Sequence, residues 1–100
     1  MNEFNLRQEL KTLTDKRRGQ AQQHKIDVVL MITIMATMSG YKGYRAIGDF
    51  AKRYKNELIE YLEITKEKIP SFPTVRRVLI NIDHKQFGDI FTKWMLRNKN

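Results

Sequence analysis

The chain contains no cysteine, which excludes a disulfide framework and any thiolate metal centre. Histidine is nearly as scarce. His24 and His84 stand far apart in the sequence and form no recognisable ligand pair. Only two prolines occur, Pro70 and Pro73, so long stretches are free of helix breakers. No repeat or low-complexity tract is present. The longest apolar run, VVLMITIMATM at 28–38, falls short of the ~20 residues that a bilayer requires and reads as a core element. The opening residues mix polar and acidic side chains with apolar ones, unlike a secretory leader. The cytoplasm is therefore the expected compartment, and neither a membrane nor a cofactor is expected.

What the chain does have is positive charge. Nineteen Lys and Arg against eleven Asp and Glu give +8, a balance that points to nucleic acid or another polyanion. Many small basic proteins are merely soluble, so the distribution of the cations has to decide.

One hundred residues suit one domain with one modest core. The pattern predicts an all-α fold, a compact bundle of about five to six helices with a helix-turn-helix-like element. Residues 1–25 form a partly irregular basic arm and 26–97 the helical core. Phe4, Leu6 and Leu10 suggest a short first helix. DKRRGQAQQHK at 15–25 is polar throughout and reads as a surface arm carrying Arg17, Arg18 and Lys25. IDVVLMITIMATMSG at 26–40 is rich in β-branched residues, which suit strands. Its length favours a helix, apolar nearly all round and therefore central. Asp27 in the first turn and Gly40 after the last agree with helix ends.

Tyr44, Ile47, Phe50, Ala51 and Tyr54 recur at helical spacing. Leu58, Ile59 and Leu62 continue the pattern after a bend near Lys55. Glu57, Glu60, Glu63 and Glu67 make this stretch a solvated face and a poor surface for DNA. Ile69-Pro70 ends it, because the residue before proline avoids the α region. Asp83, with Gln86 three residues on, forms a capping-box-like pair for a last helix. In that helix Phe87, Ile90, Phe91, Trp94 and Met95 form an apolar stripe.

SFPTVRRVL at 71–79 carries the functional question. Ser71 suits an N-cap and Pro73 is tolerated in the first turn. At about 100° per residue, Val75, Val78, Leu79 and Ile82 share one side of the helix. Arg77 points roughly opposite and Arg76 lies on the flank. Ser71, Thr74 and Arg77 then sit where a helix-turn-helix module presents hydroxyls and cations to DNA. Hydroxyls bind phosphates, and arginine either does the same or reads guanine. The spacing also arises by chance in basic helices, so DNA contact and a solvated surface both remain open. Ile80, also facing away from the core, is unusual for a groove-reading helix and could instead meet a neighbouring helix or domain.

In order and spacing these segments resemble the opening of the H-repeat-associated DDE transposases. Leu13, Asp15, Arg17 and His24 match the pattern L-x-D-x-R, then a basic turn, then a histidine before an apolar helix. Tyr44, Ala46, Ile47 and Phe50 match the aromatic helix that follows. Ile69, Pro70, Ser71, Thr74, Arg77 and Val78 match I-P-S-x-x-T-x-x-R-V. The pair Ile82-Asp83, then Phe87, Phe91 and Trp94, completes a resemblance running from about Leu13 to Trp94. Two positions depart from it. The turn glycine expected at Ala21 is replaced by Gly19, and the serine before the aromatic helix is Gly43.

The resemblance implies an N-terminal transposase-associated domain in the bacterial cytoplasm, beside nucleoid DNA. In that family it precedes a ribonuclease-H-like core whose three carboxylates hold two metal ions. That DDE core is absent from these hundred residues, whose own carboxylates form no such set. The expectation is a non-catalytic domain, with neither a metal site nor a small-molecule substrate, that helps hold the ends of an insertion sequence. Arg17, Arg18 and Lys25 would grip phosphates, and Ser71, Thr74, Arg76 and Arg77 would position or read the duplex. The alternative is an interaction module packing on the catalytic core or on a second copy, through Ile80 and any uncovered part of the Phe87–Met95 stripe. A small nuclease has no supporting constellation.

Overall fold

The computed structural model describes residues 5–13, 26–64 and 68–97. Among them are six α-helices and no strand: α1 (Leu6–Leu10), α2 (Ile26–Met38), α3 (Tyr44–Arg53), α4 (Lys55–Leu62), α5 (Phe72–Asn81) and α6 (His84–Arg97). The predicted all-α bundle is the observed one. Arg17, Arg18, Lys25 and most of the expected basic arm lie outside the described residues.

The β-branched stretch folds as helix α2 and forms the centre. Val29, Leu30, Ile32 and Ala36 are wholly buried, and α1, α3 and α5 pack around them. Thr33, also buried, donates its hydroxyl to the Val29 carbonyl 2.8 Å away, so no polar atom is stranded there. The helix ends in a Schellman motif. The Tyr41 N–H reaches the Ala36 carbonyl and the Gly40 N–H reaches Thr37, with Gly40 at φ +93°. Gly43, at the N-cap of α3, also has φ +93°, a conformation that disfavours the serine of the resembling family.

Tyr54 separates α3 from α4 with a non-helical φ/ψ of −105°/29°, which is the bend expected near Lys55. The last turn of α4 closes through a second Schellman motif, Ile64 N–H to Ile59 and Glu63 N–H to Glu60. Here the left-handed residue is Glu63, φ 53°, where glycine is usual. Asp83 caps α6 as expected, its Oδ1 accepting from the Gln86 N–H at 3.0 Å.

The first helix belongs to the core. Leu6, Leu10 and Leu13 are buried, and Arg7 Nε donates to Asp27 Oδ2 at 2.6 Å. Asp27 is thus a buried ion-pair partner as well as an acid in the first turn of α2. α6 packs chiefly on α1, and α4 on α3. Along the α6 stripe Ile90 is buried and Phe87, Phe91 and Trp94 are half-buried, but Met95 is exposed.

Candidate nucleic-acid interface

Pro70, fully buried, fixes the entry to α5. Ser71 follows at the N-cap with extended backbone (φ −84°, ψ 171°), and Pro73 lies in the first turn. The expected face is the buried one: Val75 and Val78 are fully buried, Ile82 is buried and Leu79 is half-buried. Arg76 and Arg77 project into solvent, Thr74 is half-buried and Ser71 is exposed. Ile80 is 49% exposed beside the arginines. Ser71 occupies the capping position, but its side chain makes no capping hydrogen bond. No acidic residue stands in the first turn, so nothing on the helix itself offsets the partial positive charge of its N-terminus.

That N-terminus is pressed against the middle of α3. A Cβ placed on Gly48 would lie 2.9 Å from both Cβ and N of Phe72. Only glycine allows this approach without displacing backbone. One turn earlier, the Arg45 guanidinium lies over the Phe72 ring, 4.5 Å from its centroid. Beside this contact a cleft of about 490 Å³ opens between α3, the start of α4 and the entry to α5.

Four cations line the cleft: Arg45 and Lys52 from α3, Lys55 from α4, and Lys68 ahead of α5. Ser71 and Phe72 form its far side, and Asp49 is its one carboxylate. Among the described residues none of the four cations has a carboxylate within ion-pair distance. Cations that meet at the positive end of a helix repel one another, and an anion relieves that repulsion.

Of the expected DNA-contact residues that lie among the described ones, only Ser71 lines the cleft. Thr74, Arg76 and Arg77 lie further along α5. Arg45, Lys52, Lys55 and Lys68 escaped sequence reasoning. A signal was present, because Arg45 and Lys52 stand seven residues apart and share one side of α3. The neighbouring glutamates masked it. Among the described residues no group of three or more His, Asp or Glu could hold a metal ion. Among the described residues no helix is long and apolar enough to cross a membrane.

Comparison with known proteins agrees with the resemblance. The chain is 31% identical over 91 residues to the H repeat-associated protein YbfD of Escherichia coli strain K12, covering 91% of this chain and 36% of YbfD. It is 30% identical over 90 residues to YhhI of the same strain, covering 90% of this chain and 24% of YhhI. Both are carried under a transposase name. The chain thus spans about a quarter to a third of the length of these relatives. No solved structure matches it. Residues 7–95 match the DDE_Tnp_1-associated family, and the chain belongs to that family of transposase-associated domains.

Proposed function

We infer that this domain binds the DNA of an insertion sequence on behalf of a transposase, and that it positions the DNA without cutting it. The observation that carries this reading is the cleft at the start of α5, with four cations, one carboxylate and a helix N-terminus lacking a side-chain cap. Arg45, Lys52, Lys55 and Lys68 would hold one strand's phosphates. Arg76 and Arg77, further along the exposed side of α5, would then meet base edges or the opposite backbone, as in a helix-turn-helix module. Ile80, one turn on, offers an apolar contact suited to a thymine methyl. Ser71 and Thr74 add hydroxyl donors to phosphate. Arg17, Arg18 and Lys25 would extend the grip. The acidic side of α4 would stay clear of the duplex.

Fluorescence anisotropy tests this with a labelled element-end duplex and a scrambled one, between about 50 and 200 mM salt. Each neutralised phosphate contributes about 0.9 to the slope of log affinity against log salt, so the cleft alone should give roughly −3 to −4. Absent or salt-insensitive binding would refute the assignment. Arg76→Ala/Arg77→Ala should remove the preference for the element end while leaving scrambled-duplex binding largely in place. Metal-dependent nicking by the purified chain, lost on mutating one of its carboxylates, would overturn the non-catalytic half.

A further inference from the structure

On the other side of α3 lies a second depression, of opposite character. Met35 from α2, Phe50 from α3, Tyr54 at the bend, and Leu58 and Tyr61 from α4 line a groove of about 360 Å³, with Glu57 at its rim. Its floor is braced by aromatic contacts. The Phe50 ring packs 5.0 Å from Tyr54 and 5.1 Å from Tyr41. Tyr61 is 66% exposed, as is Met38 at the end of α2. Glu60 and Glu63 continue the exposed acidic side of α4. The cation beside them is Arg53, whose guanidinium lies 5.5 Å from the centre of the Tyr54 ring.

The complementary surface is on the same molecule. At the end of α6, Met95 and Leu96 are 53% and 65% exposed beside the exposed Lys93. No α6 residue lines the basic cleft. No α6 residue lines the groove. Within one molecule α6 packs on α1 and α4 on α3, with α2 between them. The tip of α6 therefore meets an acidic apolar groove only on another copy.

We propose that the groove formed by α2, α3 and α4 receives the tip of α6 from a second copy of this chain. Leu96 seats against Tyr54, Leu58 and Tyr61, Lys93, one turn before it on the same side of α6, faces Glu57, and Met95 lies at the edge of the contact. The contact is head-to-tail: each copy offers a groove and a tip, and neither surface meets its own kind. The exposed side of α5 and the basic cleft take no part and stay open. The contact is small and therefore transient.

Sedimentation equilibrium of the full chain, up to about 1 mM, tests this through complementation. The wild-type mass should climb above 11.9 kDa with concentration. Tyr61→Glu spoils only the groove and Leu96→Glu only the tip. Both positions are exposed, so far-UV circular dichroism should be unchanged. Each variant alone should stay monomeric. Mixed in equal amounts they should form a 1:1 pair and no more, because the mixture still holds one good groove and one good tip. Glu57→Lys and Met95→Glu supply a second variant of each surface. A wild-type chain monomeric throughout, a single variant that still associates, or a mixture that stays monomeric would each overturn the proposal.

Discussion

The pair Arg7–Asp27 shows how much one side chain can change its meaning when its partner is known. As an acid in the first turn of α2, Asp27 would contribute about 0.3–1 kcal/mol through the helix dipole. Buried, and 2.6 Å from Arg7 Nε, it becomes a charge that the fold tolerates only while paired. Arg7→Ala should therefore cost about 3 kcal/mol, at the low end for such pairs because the arginine side chain is 29% exposed. In a domain of this size thermal unfolding should shift down by more than about 10 °C. Arg7→Met/Asp27→Leu should recover most of that loss, since it removes both charges and their desolvation. A double variant as unstable as Arg7→Ala would show that the cost lies in packing. Glu63 offers the opposite sign. Its left-handed φ of 53° disfavours any residue with a Cβ, so Glu63→Gly should raise stability by about 1 kcal/mol in urea unfolding.

At the scale of elements, the sequence was most legible where periodicity and caps agreed. The α5 face, the break at Tyr54 and the Asp83 cap of α6 are where spacing placed them. The length of 26–40 outweighed its β-branched content, because a buried helix can satisfy its own backbone and needs no strand partner. What spacing could not supply was the meeting of elements distant in sequence. Gly48 reads as an ordinary helix glycine until Phe72 lies against it. Lys55 borders the stretch that reads as a solvated face until Lys52, Lys68 and the start of α5 close a cleft around it. Attention to Arg76 and Arg77 thus left out the cations that gather at the start of the same helix. The two groups of cations separate by experiment. Lys52→Ala/Lys55→Ala/Lys68→Ala should weaken element-end and scrambled duplexes alike, and should reduce the salt slope by roughly 2–3. A triple variant with unchanged slope would remove the cleft from the interface and leave α5 alone.

For the whole molecule the order of packing matters more than the order of sequence. α2, α3 and α5 form a mutually supporting set. α6 is attached to that set chiefly through α1, a helix of only five residues. An isolated helix as short as α6 is marginal in water, so α6 depends on α1. That helix in turn depends on Leu6, Leu10 and the ion pair to Asp27. The two ends of the chain should accordingly open together as one unit below the global unfolding free energy. Trp94, the sole tryptophan, lies on α6 and reports on that unit alone. Its fluorescence should change at lower urea than the main far-UV circular dichroism transition, because α2 to α5 together hold more helical residues than α1 and α6, and amides of α1 and α6 should exchange with a common dependence on denaturant. Arg7→Ala should widen the gap between the two transitions, because it loosens α1 from α2 without touching α3 or α5. Coincident transitions in both proteins would mean that the domain unfolds in one step and that α6 is secured by more than α1.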